Sequence, residues 1–179
     1  GARLHVQRLG ADTDGTPAVL LHGLLVGNLA TWYFTLAPRL AESRPVTLYD
    51  LRGHGRSSRP DTGYDLGQQT ADLAAVIAAG DDLARPRSDA PVALVGHSYG
   101  ALVALRYALD HPGQVSRLVL VEPPLPPGRM DEMRAFADRP ADQMMDALPD
   151  GLKQAAARGG RQIRKLLTQV GGLVTETDL

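Results

Sequence analysis

The stretch from Val92 to Leu105 constrains the fold of this chain more than any other. A short apolar run meets Gly96-His-Ser-Tyr-Gly100, and a run of alanine and leucine follows, so a buried strand is predicted to turn directly into a helix. Such a turn crowds the backbone around Ser98, and the positions two residues to either side of it therefore need glycine. The serine hydroxyl is expected at the carboxyl end of a sheet, in front of the N–H groups of the new helix.

Short apolar runs alternate with helical patterns along the first two thirds of the chain. The predicted strands are 4–9, 18–22, 46–50, 92–95 and 115–121, and the predicted helices are 30–42, 65–79 and one from the elbow to about residue 110. Pro38 marks a kink or a boundary in the first of these helices. The alternation predicts an α/β fold with a doubly wound, mostly parallel sheet, in which the first strand lies near an edge.

The character of the sequence changes after the strand that ends at Val121. Four prolines lie between residues 123 and 127, and the sequence from there to Leu179 is helical in pattern, polar and rich in methionine and arginine. We therefore predict an α/β core over 1–125 and a helical cap over 126–179, lying above the carboxyl edge of the sheet. The methionines of the cap are expected either to line an apolar entrance or to pack the cap on the sheet.

The composition narrows the class of protein. The chain has 179 residues, enough for one domain, and its net charge is −1 with the basic residues scattered. We therefore expect no nucleic-acid-binding surface, and no apolar run is long enough to span a membrane. The absence of cysteine excludes disulfides, thiolate metal sites and a cysteine nucleophile. Neither a metal nor a cofactor is predicted, and because no signal peptide is visible the predicted location is the cytoplasm.

A serine hydroxyl is a weak nucleophile at neutral pH, so the elbow needs a general base and donors for a developing oxyanion. One donor is expected to be the N–H of Tyr99, the residue after the serine. His22-Gly23-Leu24, called the oxyanion loop below, follows a predicted strand that should neighbour the elbow, which makes the N–H of Leu24 the second donor. The alternatives are that Gly23 only ends a strand and that Ser98 is an ordinary serine in a glycine-rich turn.

No histidine of the sequence is well placed to act as the base. The five histidines are His5 in the first predicted strand, His22 in the oxyanion loop, His54 in a later loop, His97 beside the serine and His111 at the far end of the elbow helix. His22 and His97 are expected to support the site through local contacts, and His54 to brace its loop. At ~1.5 Å of rise per residue, His111 lies roughly 20 Å from the serine.

Two carboxylates follow predicted strands at the edge where the active sites of α/β sheets collect. Asp50 follows the third strand, and we expect it to play a structural role by accepting hydrogen bonds from amides of the loop 51–58. Glu122 follows the last predicted strand. It is a candidate for the catalytic acid, although a supporting or substrate-contacting role is favoured.

Together these motifs resemble the α/β-hydrolase fold superfamily, close to its cofactor-free esterase, haloperoxidase-like and epoxide-hydrolase-like branch. The motifs are His22-Gly23 followed by Trp32, Tyr49-Asp-Leu-Arg-Gly-His-Gly-Arg-Ser-Ser58, Gly96-His-Ser-Tyr-Gly100 and Leu118-Val-Leu-Val-Glu-Pro-Pro124. The resemblance implies the same oxyanion donors, Leu24 and Tyr99, and a helical cap after Val121. Relatives of the haloalkane dehalogenase and epoxide hydrolase kinds carry aspartate where this chain has Ser98.

The resemblance also implies that the catalytic histidine and acid follow the cap, on two strand–helix units that the sequence does not contain. We therefore expect the missing part, or a complementary chain of the same protein, to supply them, and the 179 residues alone to be inactive. The predicted activity is that of a serine hydrolase on a small-molecule ester, thioester or related acyl substrate. The alternatives are acyl transfer, cyclisation or C–C bond chemistry on the same fold, and a non-catalytic member that only binds a ligand. The oligomeric state is open.

Overall fold

The computed structural model describes residues 1–24, 27–81 and 91–123. Within them, five strands form one sheet, in the order β1-β3-β2-β4-β5. The strands are β1 (Val6–Leu9), β2 (Ala18–Leu21), β3 (Val46–Tyr49), β4 (Val92–His97) and β5 (Val115–Val121), and the helices are α1 (Ala30–Tyr33), α2 (Leu36–Ala41), α3 (Leu66–Asp81) and α4 (Tyr99–Asp110). The mostly parallel α/β fold predicted from the sequence is confirmed.

The pairing of the strands places the elbow inside the sheet. β2 pairs in parallel with β3 and β4, and β4 pairs in parallel with β5. β1 pairs antiparallel with β3 at the edge, where the sequence predicts it. Because β4 lies between β2 and β5, the turn after β4 is flanked by the carboxyl ends of both neighbours.

Both faces of the sheet are covered by helices, which makes the sheet doubly wound. On one face, Leu21 and Leu94 pack with Leu73 of α3 and Val103 of α4. On the other face, Leu20 and its neighbours pack against α1 and α2. Burial of each leucine contributes about 1.5–3 kcal/mol. The continuous apolar runs of β2 and β4 reflect this burial on both sides.

The break in the predicted helix 30–42 lies at Phe34 and Thr35, and not at Pro38. Phe34 has φ −97° and ψ 2°, and Thr35 has φ −121° and ψ −88°, so both leave the helical region. Pro38 instead lies in the first turn of α2, where its missing N–H has no intrahelical partner to lose. β4 also runs to His97, two residues beyond its predicted end at Val95.

The predicted helical cap at 126–179 lies outside the described residues, so the division of the chain into core and cap remains a prediction. In the part of the chain that the structure describes, no helix is long and apolar enough to cross a membrane.

Candidate active site

Ser98 is the single residue between β4 and α4, and its backbone is strained. It has φ 51° and ψ −119°, a combination that residues with a side chain rarely adopt and that costs of order 1–3 kcal/mol. Two main-chain hydrogen bonds hold the turn: Ser98 N–H donates to the Val121 carbonyl at 2.9 Å, and Ala101 N–H donates to the Ser98 carbonyl at 2.9 Å. The elbow (residues 96–100) is therefore fixed to both β5 and α4.

The glycines of the elbow stand where backbone passes close to backbone. A Cβ on Gly96 would run into the Gly100 carbonyl oxygen and would lie 2.6 Å from the Ala101 Cα. A Cβ on Gly100 would lie 2.5 Å from the His22 carbonyl oxygen. No side chain fits at either position without movement of the main chain.

The oxyanion loop lies directly against the nucleophile candidate. A Cβ on Gly23 would be 3.2 Å from the Ser98 Cβ and 3.0 Å from His97 Nδ1. Among the described residues, no acceptor bonds the N–H of Leu24 or the N–H of Tyr99. Two donors with no partner in the described structure thus belong to the two segments that meet at Ser98, the loop after β2 and the start of α4.

The ring of His22, the first residue of this loop, is hydrogen bonded through both of its nitrogens. It is completely buried, its Nδ1–H donates to the Gly23 carbonyl at 2.7 Å, and its Nε2 accepts from the Leu51 N–H at 3.0 Å. Burial, and then the nearby His54, lower the pKa of His22 to about 4. With both ring nitrogens occupied and the ring neutral, His22 has no free nitrogen with which to take a proton from Ser98.

The Asp50 carboxylate is held by donors from three segments, of which the loop that follows it is one. Its carboxylate accepts hydrogen bonds from the N–H groups of Leu29 and Arg56, each at 2.8 Å, and from His5 Nδ1 at 2.9 Å. Burial alone would raise the pKa of Asp50, but these bonds outweigh it and hold the pKa below its ordinary value. Asp50 follows β3, two strands away from the elbow, and none of these three donors belongs to the elbow.

A buried ion pair in the same region was not predicted from the sequence. Arg52 donates from Nε and Nη2 to the two oxygens of Asp72, each at 2.7 Å, and the side chains are only 7% and 10% exposed. The signal available was an arginine in a turn and an aspartate in the middle of α3, 20 positions further along the chain. His54 lies nearby with Nδ1 3.1 Å from the Arg52 carbonyl oxygen, so it contacts its own loop as expected.

Glu122 and His97 come together beside the elbow. Glu122 is the first residue after β5, has a positive φ of 48° and is exposed over 84% of its side chain. Its Oε2 lies 3.5 Å from His97 Nε2. This contact was not predicted, although both residues were singled out from the sequence.

The remaining two histidines lie elsewhere. His5 is bonded to Asp50, and His111 ends α4, where its ring centroid is 4.5 Å from that of Tyr107. Within the described ranges, no side chain is hydrogen bonded to Ser98 Oγ. No group of three or more histidine, cysteine or acidic side chains is arranged there to hold a metal ion.

Comparison with known proteins gives the family to which these features correspond. Residues 16–170 match the alpha/beta hydrolase fold family. RutD of Variovorax paradoxus (strain S110), to which a carbamate hydrolase activity is provisionally ascribed, is 41% identical over 119 residues, or 66% of this chain and 41% of RutD. The 1-acylglycerol-3-phosphate O-acyltransferase ABHD5 of Homo sapiens is 37% identical over 141 residues, or 76% of this chain and 37% of ABHD5.

Among solved structures, Cfl2 from Burkholderia cenocepacia superposes with a TM-score of 0.68 at 25% identity, over 98% of this chain and 70% of Cfl2. The chain spans about two fifths of the length of the curated relatives that it matches.

Proposed function

The chain belongs to the alpha/beta hydrolase fold family, and from this premise we propose that it is the part of a serine hydrolase that carries the nucleophile. The observation that carries the proposal is the backbone of Ser98, held at φ 51° between a strand and a helix. Strain of this kind persists where the surrounding structure enforces it, and it collects at sites where a side chain must be presented in one direction.

The reaction proposed is the cleavage of an ester, thioester or related acyl bond. Ser98 Oγ attacks the carbonyl carbon of the substrate and gives up its proton to a histidine base. The N–H groups of Leu24 and Tyr99 stabilise the negative charge that forms on the carbonyl oxygen. The tetrahedral intermediate then collapses, the bond to the leaving group breaks, and the leaving group takes the proton from the histidine. Water, activated by the same histidine, releases the acid from the acyl-enzyme.

The base of this proposal lies outside the 179 residues. All five histidines lie at or before His111, and each of them has other contacts or is distant from Ser98. We therefore propose that sequence beyond this chain, in the same protein or in a complementary chain, supplies the histidine and its acid. Glu122 remains a weaker proposal for that acid, since its partner here is His97.

Two experiments test the nucleophile, both on the complete protein as its gene encodes it. Ser98→Ala should lower kcat/KM for a p-nitrophenyl ester by at least about a thousandfold. It should also abolish labelling by a fluorophosphonate probe. Ser43→Ala, which removes an exposed hydroxyl at the end of α2, is the matched control and should leave both unchanged. A Ser98→Ala protein that keeps its esterase activity would refute the proposal.

Acyl transfer is the second candidate, and the similarity to ABHD5 favours it because that protein is named an acyltransferase. The two reactions share the acyl-enzyme and differ in the acceptor that resolves it. Product analysis with an acyl donor, in the presence and absence of an alcohol acceptor, separates them: a hydrolase releases mainly the free acid, and a transferase mainly the new ester. A complete protein in which the probe does not label Ser98 would instead favour a member of the fold that only binds its ligand.

A further inference from the structure

Two residues other than glycine have positive φ in the described part of the chain, and they are neighbours. They are Ser98, at φ 51°, and Glu122, at φ 48°. β4 and β5 pair in parallel with His97 opposite Val121. The next residue on each strand, Ser98 and Glu122, therefore leaves the sheet at the same place.

The backbone of Glu122 is unfavourable for a glutamate. For L-residues the left-handed region brings Cβ close to the following carbonyl oxygen, and glycine alone is free of this cost. A glycine at position 122 would give the same turn without strain. The presence of a long acidic side chain at this position therefore points to a role for the carboxylate itself.

That carboxylate completes a chain of contacts to the nucleophile. Glu122 Oε2 is 3.5 Å from His97 Nε2, and the other nitrogen of the ring, Nδ1, is 3.0 Å from the position that a Cβ on Gly23 would take. The same Cβ position is 3.2 Å from the Ser98 Cβ, so Gly23 is next to both the ring and the nucleophile candidate. A main-chain bond runs parallel to this chain, from Ser98 N–H to the Val121 carbonyl oxygen at 2.9 Å. The ends of β5, β4 and β2 are thus linked through one imidazole ring.

The contribution of the pair to stability is expected to be small. The side chains of His97 and Glu122 are 35% and 84% exposed, and ion pairs in such surroundings are screened by water. A contact that adds little stability, made by a residue in a strained conformation, is better explained by the geometry that it maintains.

We propose that His97 and Glu122 form a positioning pair, in which Glu122 orients the His97 ring so that it supports Gly23 and keeps the Leu24 N–H aimed at the oxyanion formed on Ser98. The inference rests on the proposed acyl chemistry. It assigns no proton transfer to either residue: the pair acts on the rate through the oxyanion loop. Its loss should therefore lower kcat and leave KM nearly unchanged, because the donor is needed most in the transition state.

The test compares Glu122→Gln and Glu122→Gly in the complete protein. Glu122→Gln keeps the length of the side chain and removes its charge, and should lower kcat about tenfold or more. Glu122→Gly also relieves the backbone strain, so it should lower kcat at least as much while the midpoint of thermal unfolding, Tm, stays the same or rises. Glu42→Gln is the matched control, since it removes an exposed carboxylate that is paired with Arg39 at the end of α2, and should change neither kcat nor Tm.

The double variant His97→Gln/Glu122→Gln shows whether the two residues act together. If they do, the kcat of the double variant should be no lower than that of the slower single variant, His97→Gln or Glu122→Gln. The proposal is overturned if Glu122→Gln keeps the wild-type kcat, if the single effects multiply in the double variant, or if Glu122→Gly lowers Tm and kcat together as a structural residue would. Fluorophosphonate labelling of the wild-type protein distinguishes failure of the positioning role from failure of the proposed function. If Ser98 is not labelled, the proposed hydrolase function fails, and the positioning role fails with it. If Ser98 is labelled and Glu122→Gln keeps the wild-type kcat, only the positioning role fails.

Discussion

Two turns at the same edge of the sheet differ in how far their polar groups are hydrogen bonded. In the β3 loop (residues 50–58), Asp50 accepts three hydrogen bonds, and Ser57 Oγ both donates to the Asp50 carbonyl at 2.6 Å and accepts from the His5 N–H at 2.9 Å. In the elbow, Ser98 is strained, and the N–H of Tyr99 has no acceptor among the described residues. The β3 loop therefore has its polar groups hydrogen bonded, whereas the elbow leaves the Tyr99 N–H and the Ser98 hydroxyl without a partner among the described residues.

The difference suggests how stability and reactivity are divided within one sheet edge. Buried polar groups are costly unless they are satisfied, so a loop rich in them either bonds them internally or destabilises the fold. The β3 loop bonds them partly within itself and partly to Leu29 and His5, and it also contacts the oxyanion loop through the Leu51 N–H that donates to His22. Satisfied polar groups are thus concentrated in the β3 loop, and backbone strain in the elbow, two strands away.

The largest effect is expected from breaking the β3 loop at its ion pair. Arg52→Ala leaves Asp72 as a buried charge without its partner, and should lower the free energy of unfolding by about 3–5 kcal/mol. The Arg106–Asp110 pair is the control: its N–O distance is also 2.7 Å, but its side chains are 50% and 39% exposed. Arg106→Ala should therefore cost less than about 1 kcal/mol. Urea unfolding measures both losses of stability. Equal losses would mean that the buried ion pair stabilises the fold no more than the exposed one does.

The next effect is a loss of stability in acid, caused by His22, which joins the oxyanion loop to the β3 loop. His22 has a pKa of about 4 in the folded protein and 6.5 ordinarily, so the unfolded chain binds the proton first. The contribution of this histidine is therefore fully present above pH 6.5 and is lost as the pH falls towards 4, by about 3 kcal/mol in total.

His22→Gln removes this titration and retains an acceptor for the Leu51 N–H. Its free energy of unfolding should change much less than that of the wild type between pH 7 and pH 4.5, as measured by urea unfolding at both values. An equal fall in both proteins would place the acid sensitivity in another group, such as the buried His54, whose pKa is also lowered by burial.

A smaller effect is expected from filling the close contact between the elbow and the oxyanion loop. Gly100→Ala places a methyl group 2.5 Å from the His22 carbonyl oxygen, and should cost about 1–3 kcal/mol because main-chain atoms must move. Gly113→Ala is the matched control, since no atom lies within 4 Å of its Cβ position. Thermal unfolding compares the two variants, and a tolerated Gly100→Ala would mean that the elbow is looser than the β3 loop.

The smallest expected effect is an increase in stability. Ser98→Gly removes the side chain from a residue at φ 51°, and should raise the free energy of unfolding by about 1 kcal/mol. Ser98→Ala keeps the Cβ and should not. Both variants lose the hydroxyl, so a difference in stability between them reports the backbone strain that the Cβ causes. If neither variant is more stable than the wild type, then the elbow carries no strain that its side chain causes.

The sequence predicted the parts of this site that depend on neighbouring residues. The elbow is one local pattern, whereas only one of the three donors to Asp50, the Arg56 N–H, lies in the loop 51–58 that the sequence indicates. The Arg52–Asp72 and His97–Glu122 pairs were missed because each joins segments that only the folded sheet brings together. The break at Phe34 was also missed, since no glycine or proline marks it.

The contact between Gly100 and the His22 carbonyl has a consequence for altering this protein by design. The two proposed oxyanion donors belong to segments that approach each other through main-chain atoms at Gly100 and through the His97 ring at Gly23, so their spacing depends on these positions and not on more distant side chains. Libraries that vary side chains other than those of His97 and Glu122, and that keep Gly23 and Gly100, should thus leave the donor spacing intact. Grafting a foreign loop after β2, by contrast, would require the start of α4 to be exchanged with it as one unit.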